Sequence, residues 1–191
     1  MKPTENGQGW RQAKAADHEA VRARYRPEKV RLLFVGESPP ASGRFFYNRD
    51  SGLYRAMLGA FHAVDHAISD DNFLDVFQKT GCYLTDACRW PVDRLDRVAR
   101  RDACSAGEKT LASRIRKLQP GIIMSLVRSI KGNVENAAFL ASWDGTLLNT
   151  PYPGRWIRHR QEFLKILTPE LRRLLKPATV KGKSWLTTSA L

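Results

Sequence analysis

The hydrophobic positions of this chain fall into short unbroken runs and longer stretches with helical spacing. Short apolar runs bounded by glycine, proline or polar residues are typical of buried strands. Longer stretches with apolar residues every three or four positions are typical of helices with one buried face. The runs predict four strands, at residues 30–35, 82–87, 121–126 and 145–149. The helical stretches are residues 12–25, 72–79, 106–118, 130–140 and 160–175, with a further helix capped by Asp50 or Ser51.

Strands that alternate with helices predict an α/β fold. We expect one domain of 191 residues with a central four-stranded, mostly parallel sheet flanked by helices on both faces. Residues 1–29 are expected to form an N-terminal helical extension, and residues 177–191 a frayed tail. No apolar run has the length of a membrane span, and the first ten residues lack an apolar signal region. We therefore expect a cytoplasmic protein. We also expect a monomer, because the sequence shows no exposed apolar stripe that a second subunit would have to cover.

Three polar loops marked by proline follow three of the predicted strands, at residues 37–40, 86–91 and 150–154. Because parallel strands end at the same edge of a sheet, and open α/β sheets bind ligands there, these loops are expected to meet at one site. The first loop holds the carboxylate of Glu37 on a support stiffened by two prolines. Three aromatic residues at 45–47 follow closely enough to wall the same pocket.

Charge adds a candidate partner to this picture. The chain has 32 basic and 19 acidic residues, for a net charge of +13. From residue 151 onward it has nine basic residues and two acidic ones. Such an excess favours a polyanionic partner such as nucleic acid, through phosphate contact and counterion release. A solvated basic surface is the alternative.

Five segments, taken in order, resemble motifs of the uracil-DNA glycosylase superfamily. They are GESPP at 36–40, similar to the G-E-x-P-G of its iron–sulfur branch; GRFF at 43–46, similar to G-R-P-F; YLTD at 83–86, followed by RWP, similar to Y-I-T-N and its Pro-containing loop; LQPGII at 118–123, similar to L-x-P-x-x-I; and TPYP at 150–153, in the place of H-P-S-P. Each match is weak alone, and the order and spacing carry the resemblance.

Three departures set this chain apart and indicate a divergent branch. Asp86 stands where that family has an asparagine, and Thr150 where it has a histidine. The chain has three cysteines, Cys82, Cys88 and Cys104, instead of the four that bind the cluster, and none precedes the first motif. We therefore expect no iron–sulfur cluster and no other metal, and we interpret the cysteines as small buried or loop residues.

The resemblance implies a DNA repair enzyme of base excision. It would flip uracil out of single- or double-stranded DNA and hydrolyse the N-glycosidic bond. A monofunctional glycosylase of this kind leaves an abasic site and needs no cofactor. A non-catalytic protein of the same fold that recognises uracil or damaged DNA is the first alternative, kept open by Asp86 and Thr150. A basic α/β hydrolase of nucleotides is the second, although the chain lacks a P-loop, a dinucleotide glycine signature and a G-x-S-x-G elbow.

The resemblance also assigns roles to individual residues. Glu37 would stabilise charge on the sugar and position water, unless it caps a turn or pairs with an arginine. Phe46 would stack on the flipped base, unless both it and Phe45 belong to the core. Asp86 would read N3–H of the base, be protonated by burial, orient water as a second carboxylate, or cap the following chain. The candidates are Glu37, Asp86 and Thr150 for catalysis; Gly36, Ser38, Phe46, Tyr47, Asn149 and Tyr152 for the base; and Ser42, Arg44, Pro153, Gly154, Arg155, Arg158 and Arg160 for DNA.

Overall fold

The apolar runs form a single parallel sheet in the computed structural model, which describes residues 17–154 and 156–176. The strands are β1 (Leu32–Gly36), β2 (Cys82–Asp86), β3 (Ile122–Ser125) and β4 (Thr146–Asn149). Their order across the sheet is β2-β1-β3-β4, and each neighbouring pair is parallel. The α/β fold is thus confirmed, with an all-parallel sheet instead of a mostly parallel one.

The register of the strands aligns their carboxyl ends. Gly36, the last residue of β1, lies opposite Asp86, the last residue of β2. On the other side of β1, Val35 lies opposite Ser125, which in turn lies opposite Asn149. The loops after all four strands therefore leave from one edge, and they include the three loops that the sequence predicted to share it.

Helices cover both faces of this sheet, since every residue of β1 and β2 is buried. Within the described residues the helices are α1 (17–24), α2 (Gly52–His62), α3 (Phe73–Lys79), α4 (Arg97–Leu118), α5 (Lys131–Leu140) and α6 (Ile157–Leu175). Helix α4 packs against α5, and α2 packs against α6. None of these helices is long and apolar enough to cross a lipid bilayer. Residues 1–16 and 177–191, which include the predicted tail, lie outside the described part.

Capping residues fix where two of the helices begin. The Ser51 hydroxyl accepts a hydrogen bond of 3.1 Å from the N–H of Tyr54, so Ser51 caps α2. Asp96 caps α4 by accepting from two backbone N–H groups. Helix α4 thus begins at Arg97 and not at residue 106, so the predicted start of this helix was wrong. The longer helix places Arg100 and Cys104 beside the loops that follow the strands.

An aromatic cluster anchors the loop between β1 and α2. Residues Phe46–Asn48 form a short 3₁₀ turn. The Phe46 ring packs edge-on against Tyr54 and Phe73, and it also contacts Tyr47. The Tyr47 hydroxyl donates to the Leu84 carbonyl at 3.2 Å and accepts from the Leu84 N–H at 2.8 Å. The turn is therefore fixed to β2 and to the core.

Candidate active site

A cavity of about 370 Å³ opens at the carboxyl edge of the sheet. This volume lies within the roughly 300–1,000 Å³ usual for small-molecule sites. Its wall is built from the first loop, the aromatic turn, the start of α2, the ends of β2 and β3, α4 and the last loop. The lining residues are Gly36, Glu37, Ser38, Pro39, Pro40, Phe45, Phe46, Ser51, Leu53, Leu84, Asp86, Asp93, Arg100, Leu126, Val127 and Tyr152.

Glu37 reaches this cavity from the residue directly after β1, and Arg100 of α4 holds it there. The Arg100 Nε–H donates to Glu37 Oε1 at 2.7 Å, and the Arg100 Nη2 group donates to Oε2. The Glu37 side chain is 10% exposed and that of Arg100 is 40% exposed. The hydrogen bond to Glu37 raises the pKa of Arg100. This two-point pair fixes the plane of the carboxylate and leaves further lone pairs on both oxygens.

The loop that carries Glu37 is tied to the loop after β2. The Ser38 hydroxyl accepts from the N–H of Val92 at 3.3 Å, and the Ala41 N–H donates to the Asp93 carboxylate at 3.2 Å. The Glu37 carbonyl accepts from the N–H of Cys88 at 2.8 Å. With two prolines as well, the first loop is a stiff support for the carboxylate.

Asp86 lies at the floor of the cavity in a buried ionic network. Its Oδ2 accepts a hydrogen bond of 2.6 Å from Arg22 of α1, which is 2% exposed. Arg22 also donates to Glu19, and Arg114 of α4 reaches the same Glu19 at 2.7 Å. The other oxygen, Oδ1, sits so close to Gly36 that a Cβ atom there would lie 2.6 Å away. Glycine at this position therefore makes room for the carboxylate.

Burial and charge pull on this network in opposite directions. Burial raises the pKa of Asp86, and this outweighs the lowering by Arg22 and Arg114. Burial would lower the pKa of Arg22, but Asp86 and Glu19 outweigh it, so its pKa is raised. Arg22 therefore stays charged, and it holds one oxygen of Asp86.

The three aromatic residues after the first loop occupy different places. Phe45 and Phe46 both line the cavity and are both at most 3% exposed. Phe45 stacks on His18 with ring centroids 4.4 Å apart, and the Arg22 guanidinium lies 5.5 Å from its centroid. Tyr47 is buried in the core, bonded to Leu84, and is not among the residues that line the cavity.

The last strand and its loop contribute less to the cavity than the first two. The Thr150 hydroxyl donates to the Ser125 carbonyl at 3.0 Å, and Thr150 is fully buried outside the cavity wall. Asn149 accepts from the Ser125 hydroxyl at 2.9 Å and also lies outside the wall. Tyr152 lines the cavity and is 42% exposed. Its ring fills the place where a side chain on Gly154 would stand.

The candidate DNA-contacting residues divide by their exposure. Those exposed to solvent are Ser42, Arg44, Arg158 and Arg160. Arg160 donates to the carbonyls of Pro153 at 3.5 Å and Gly154 at 3.3 Å, so it braces the last loop. Pro153 is buried and Gly154 is half-buried. Arg155 lies outside the described residues.

A second, larger groove of about 790 Å³ adjoins the cavity along α4. Arg97, Arg100 and Arg101 line it, together with Glu37 and Cys104. Arg100 and Glu37 line both the groove and the cavity. A basic groove therefore runs up to the candidate carboxylate.

The sequence did not single out Arg22, Arg100 or Arg114. Each is one of several arginines in a basic helix, and each acts on a residue far away along the chain. The Arg22–Asp86 pair spans 64 positions and the Arg100–Glu37 pair 63. The one local signal available was Asp96 before a run of helix-forming residues, which would have extended α4 to include Arg100.

The match to a known family decides the class of protein. The family model of the uracil DNA glycosylase superfamily matches residues 23–177. The chain belongs to this superfamily. Its members are generally hydrolases of N-glycosyl bonds, and DNA is the substrate that membership implies. A comparison with curated proteins gave no match.

The cysteines of this superfamily member do not fit an iron–sulfur cluster. The whole chain has three, one fewer than the cluster needs. Cys88 and Cys104 lie together, but Cys82 begins β2 and Cys88 follows its end, so the five-residue strand, about 16 Å long, lies between these two cysteines. No group of three or more His, Cys, Asp or Glu side chains in the described part of the chain has the arrangement of a metal site.

Proposed function

We propose that this protein is a monofunctional DNA glycosylase that removes uracil by hydrolysis and leaves an abasic site. The observation that carries the proposal is the shared cavity of Glu37, Asp86 and Phe46, which come from three separate segments of the chain. Within the superfamily, we interpret the first motif of this chain as most similar to that of the iron–sulfur branch, although the chain lacks the cysteines of the cluster. The basic groove beside Glu37 supports a DNA substrate.

The chemistry requires a negative charge near the sugar as the glycosidic bond breaks. Glu37 is the candidate, since its carboxylate is fixed by Arg100 and still has lone pairs for a water. Glu37 and Ser38 both line the cavity, and their backbone N–H groups are the candidates for holding the departing base anion.

Recognition of the base falls to Phe46 and Asp86. Phe46 is wedged among aromatic rings, so it offers a rigid face on which a flipped base would stack. Arg22 engages one oxygen of Asp86, so the carboxylate would act as an acceptor for the N3–H of uracil. In this proposal Asp86 reads the base and Glu37 acts on water.

Thr150, Asn149 and Tyr47 take supporting roles in the proposed enzyme. Their polar atoms bind backbone or neighbouring side chains, and none of the three lines the cavity. Tyr152 is the candidate from the last loop that would touch the substrate, since it stands at the mouth of the cavity.

The test is strand cleavage at uracil. Labelled single- and double-stranded oligonucleotides with one uracil are incubated with the protein and treated with alkali, beside matched oligonucleotides with thymine. Breaks at uracil alone support the glycosylase, and Glu37→Gln should lower the rate at least about tenfold, as expected for loss of a general base. An inactive wild-type protein would overturn the proposal. A wild-type rate in the Glu37 variant would overturn the role given to Glu37 in the mechanism.

One observation favours a second candidate, a protein that binds uracil or damaged DNA without turnover. Both oxygens of Glu37 already accept hydrogen bonds from Arg100. If Arg100 kept the carboxylate from water, binding would remain and cleavage would not. Tight binding that prefers uracil, without alkali-sensitive sites, would support this candidate.

A further inference from the structure

Two thiols lie side by side behind the carboxylate loop. Cys88 follows the end of β2, and Cys104 is on α4. Their sulfur atoms are 3.3 Å apart, and each residue is 3% exposed. The third cysteine, Cys82, is also buried but stands at the other end of β2. The chain therefore contains one close thiol pair and one separate thiol that serves as an internal reference.

Backbone packing, and not chance side-chain placement, holds the pair together. Helix α4 presses so closely on the end of β2 that a side chain on Gly107 would collide with the Ala87 carbonyl oxygen. The N–H of Cys88 is bonded to the Glu37 carbonyl at 2.8 Å. Cys88 is thus tied to the loop that carries Glu37, and α4, which carries Cys104, packs directly against the residue before Cys88.

Of the two cysteines, Cys104 is the one that borders a groove. Cys104 lines the basic groove of about 790 Å³, which is wide enough for a small oxidant. A hydrogen bond from the Cys88 thiol lowers the pKa of Cys104, and this outweighs the effect of burial. The thiolate is the reactive form of cysteine. Cys104 is therefore the thiol placed to react first, with Cys88 behind it as a partner.

We propose that Cys88 and Cys104 form a reversible oxidation site that closes to an intramolecular disulfide when a peroxide enters the groove. The Cys104 thiolate attacks one peroxide oxygen, the O–O bond breaks, and the leaving hydroxide takes a proton to become water. The sulfur of Cys88 then attacks the Cys104 sulfenic acid, the S–O bond breaks, and the hydroxide leaves as water with the Cys88 proton. The two sulfurs lose two electrons in total, and the peroxide is reduced to two waters. A small dithiol reverses the closure by thiol–disulfide exchange.

Closure of the disulfide would alter the position of Arg100 relative to Glu37. The effect on activity that follows from this rests on the proposed function. Bond formation shortens the sulfur separation from 3.3 Å to about 2.05 Å and so pulls α4 toward the end of β2. Arg100 lies one helical turn before Cys104, on the same side of α4. The pull would shift the Arg100 guanidinium relative to Glu37. Activity of the oxidised enzyme should fall roughly tenfold or more, because a misplacement of about 1 Å can cost about 10²-fold.

The decisive experiment counts and maps thiols in the full-length protein. Reduced protein is treated with a small excess of hydrogen peroxide, alkylated, and digested for mass spectrometry. We expect a linked peptide pair joining Cys88 to Cys104, with Cys82 still alkylated, and full recovery of three free thiols after a dithiol is added. Cys82→Ser is the matched control and should close normally, whereas Cys88→Ser should leave Cys104 as a sulfenic acid that a dimedone-type probe captures.

Three results would overturn the site. They are three alkylatable thiols after peroxide treatment of wild type, a linkage that involves Cys82, and oxidation of Cys104 beyond sulfenic acid without any link to Cys88. The wild-type mapping needs no variant, so it stands even if a serine substitution does not fold. Uracil excision is measured on the same samples before and after oxidation. A wild type without activity would defeat the proposed function alone, since the thiol map is read independently.

Discussion

Substitution of Arg100 tests how the candidate carboxylate is held. In the wild type the Glu37 side chain is nine-tenths buried, and in Arg100→Gln it loses both guanidinium hydrogen bonds. A hydrogen bond to a charged group contributes about 1.5–3 kcal/mol. Because the Arg100 side chain is 40% exposed, solvent screening reduces this, and we take about 1–2 kcal/mol. If that orientation matters in the transition state, kcat should fall roughly 5- to 30-fold.

The assay is uracil excision under saturating and limiting DNA, so that kcat and KM separate. Arg100→Gln should lower kcat with little change in KM. Arg100→Lys should recover part of the loss, because an ammonium keeps the charge but not the two-point geometry. Arg97→Gln is the matched control, since Arg97 lines the same groove. It should raise KM and reduce the salt dependence of binding while kcat stays unchanged.

An Arg100→Gln enzyme with wild-type kcat, or equal losses of kcat in Arg97→Gln and Arg100→Gln, would show that Arg100 does not orient Glu37 for catalysis. A higher kcat in Arg100→Gln would also contradict this role, because it would show that the arginine restrains Glu37 instead of orienting it. Melting temperatures of all three variants separate these outcomes from a general loss of folding.

Three other substitutions probe the edge of the sheet. Gly36→Ala should displace the Asp86 carboxylate, which would lie 2.6 Å from the new methyl group, and should lower stability by about 1–3 kcal/mol in urea unfolding. Asp86→Asn should keep uracil excision if the residue reads the base, since an amide accepts and donates. Because burial raises the folded-state pKa of Asp86, its favourable contribution is present at low pH and is lost as pH rises through that value. The free energy of unfolding of the wild type minus that of the asparagine variant should therefore fall as pH rises from about 4, and a flat difference would contradict the burial argument. Thr150→Val should lower stability by about 1 kcal/mol, because it removes the hydrogen bond to the Ser125 carbonyl. A fall in kcat that corresponds to a free energy of the same size would support the catalytic role that the motif suggested.

Local pattern was sufficient for the sheet because each strand contains a short apolar run with turn or polar residues behind it. The predicted strand at 30–35 corresponds to Leu32–Gly36, and the one at 82–87 to Cys82–Asp86. It failed for the first half of α4, where the buried residues begin only at Cys104 and the preceding arginines face solvent or the groove. A helical segment without an apolar face has no periodic hydrophobic pattern. In this part of α4 the capping residue Asp96 was the local feature that indicated a helix.

The contacts of the site were harder to predict than its position. That Glu37 and Asp86 would meet at one edge follows from parallel strands, and strand register places Gly36 opposite Asp86. Which arginine each carboxylate would bind does not follow, because many arginines are equivalent in a linear sequence. Likewise nothing local separated Thr150, whose hydroxyl is bonded to a strand carbonyl, from a residue that faces the cavity.

Helix α4 contacts both acidic residues at once, Glu37 through its carboxylate and Asp86 through its backbone. Near its start Arg100 binds the Glu37 carboxylate, and about 21 Å further along the same rod Arg114 donates to the Asp86 carbonyl at 3.1 Å. A tilt or slide of this rod would therefore disturb the two acids together. A substitution in α4 that alters the position of one acidic residue is therefore expected to need a second substitution that restores the other. We expect residues of this helix and of the two loops to vary together.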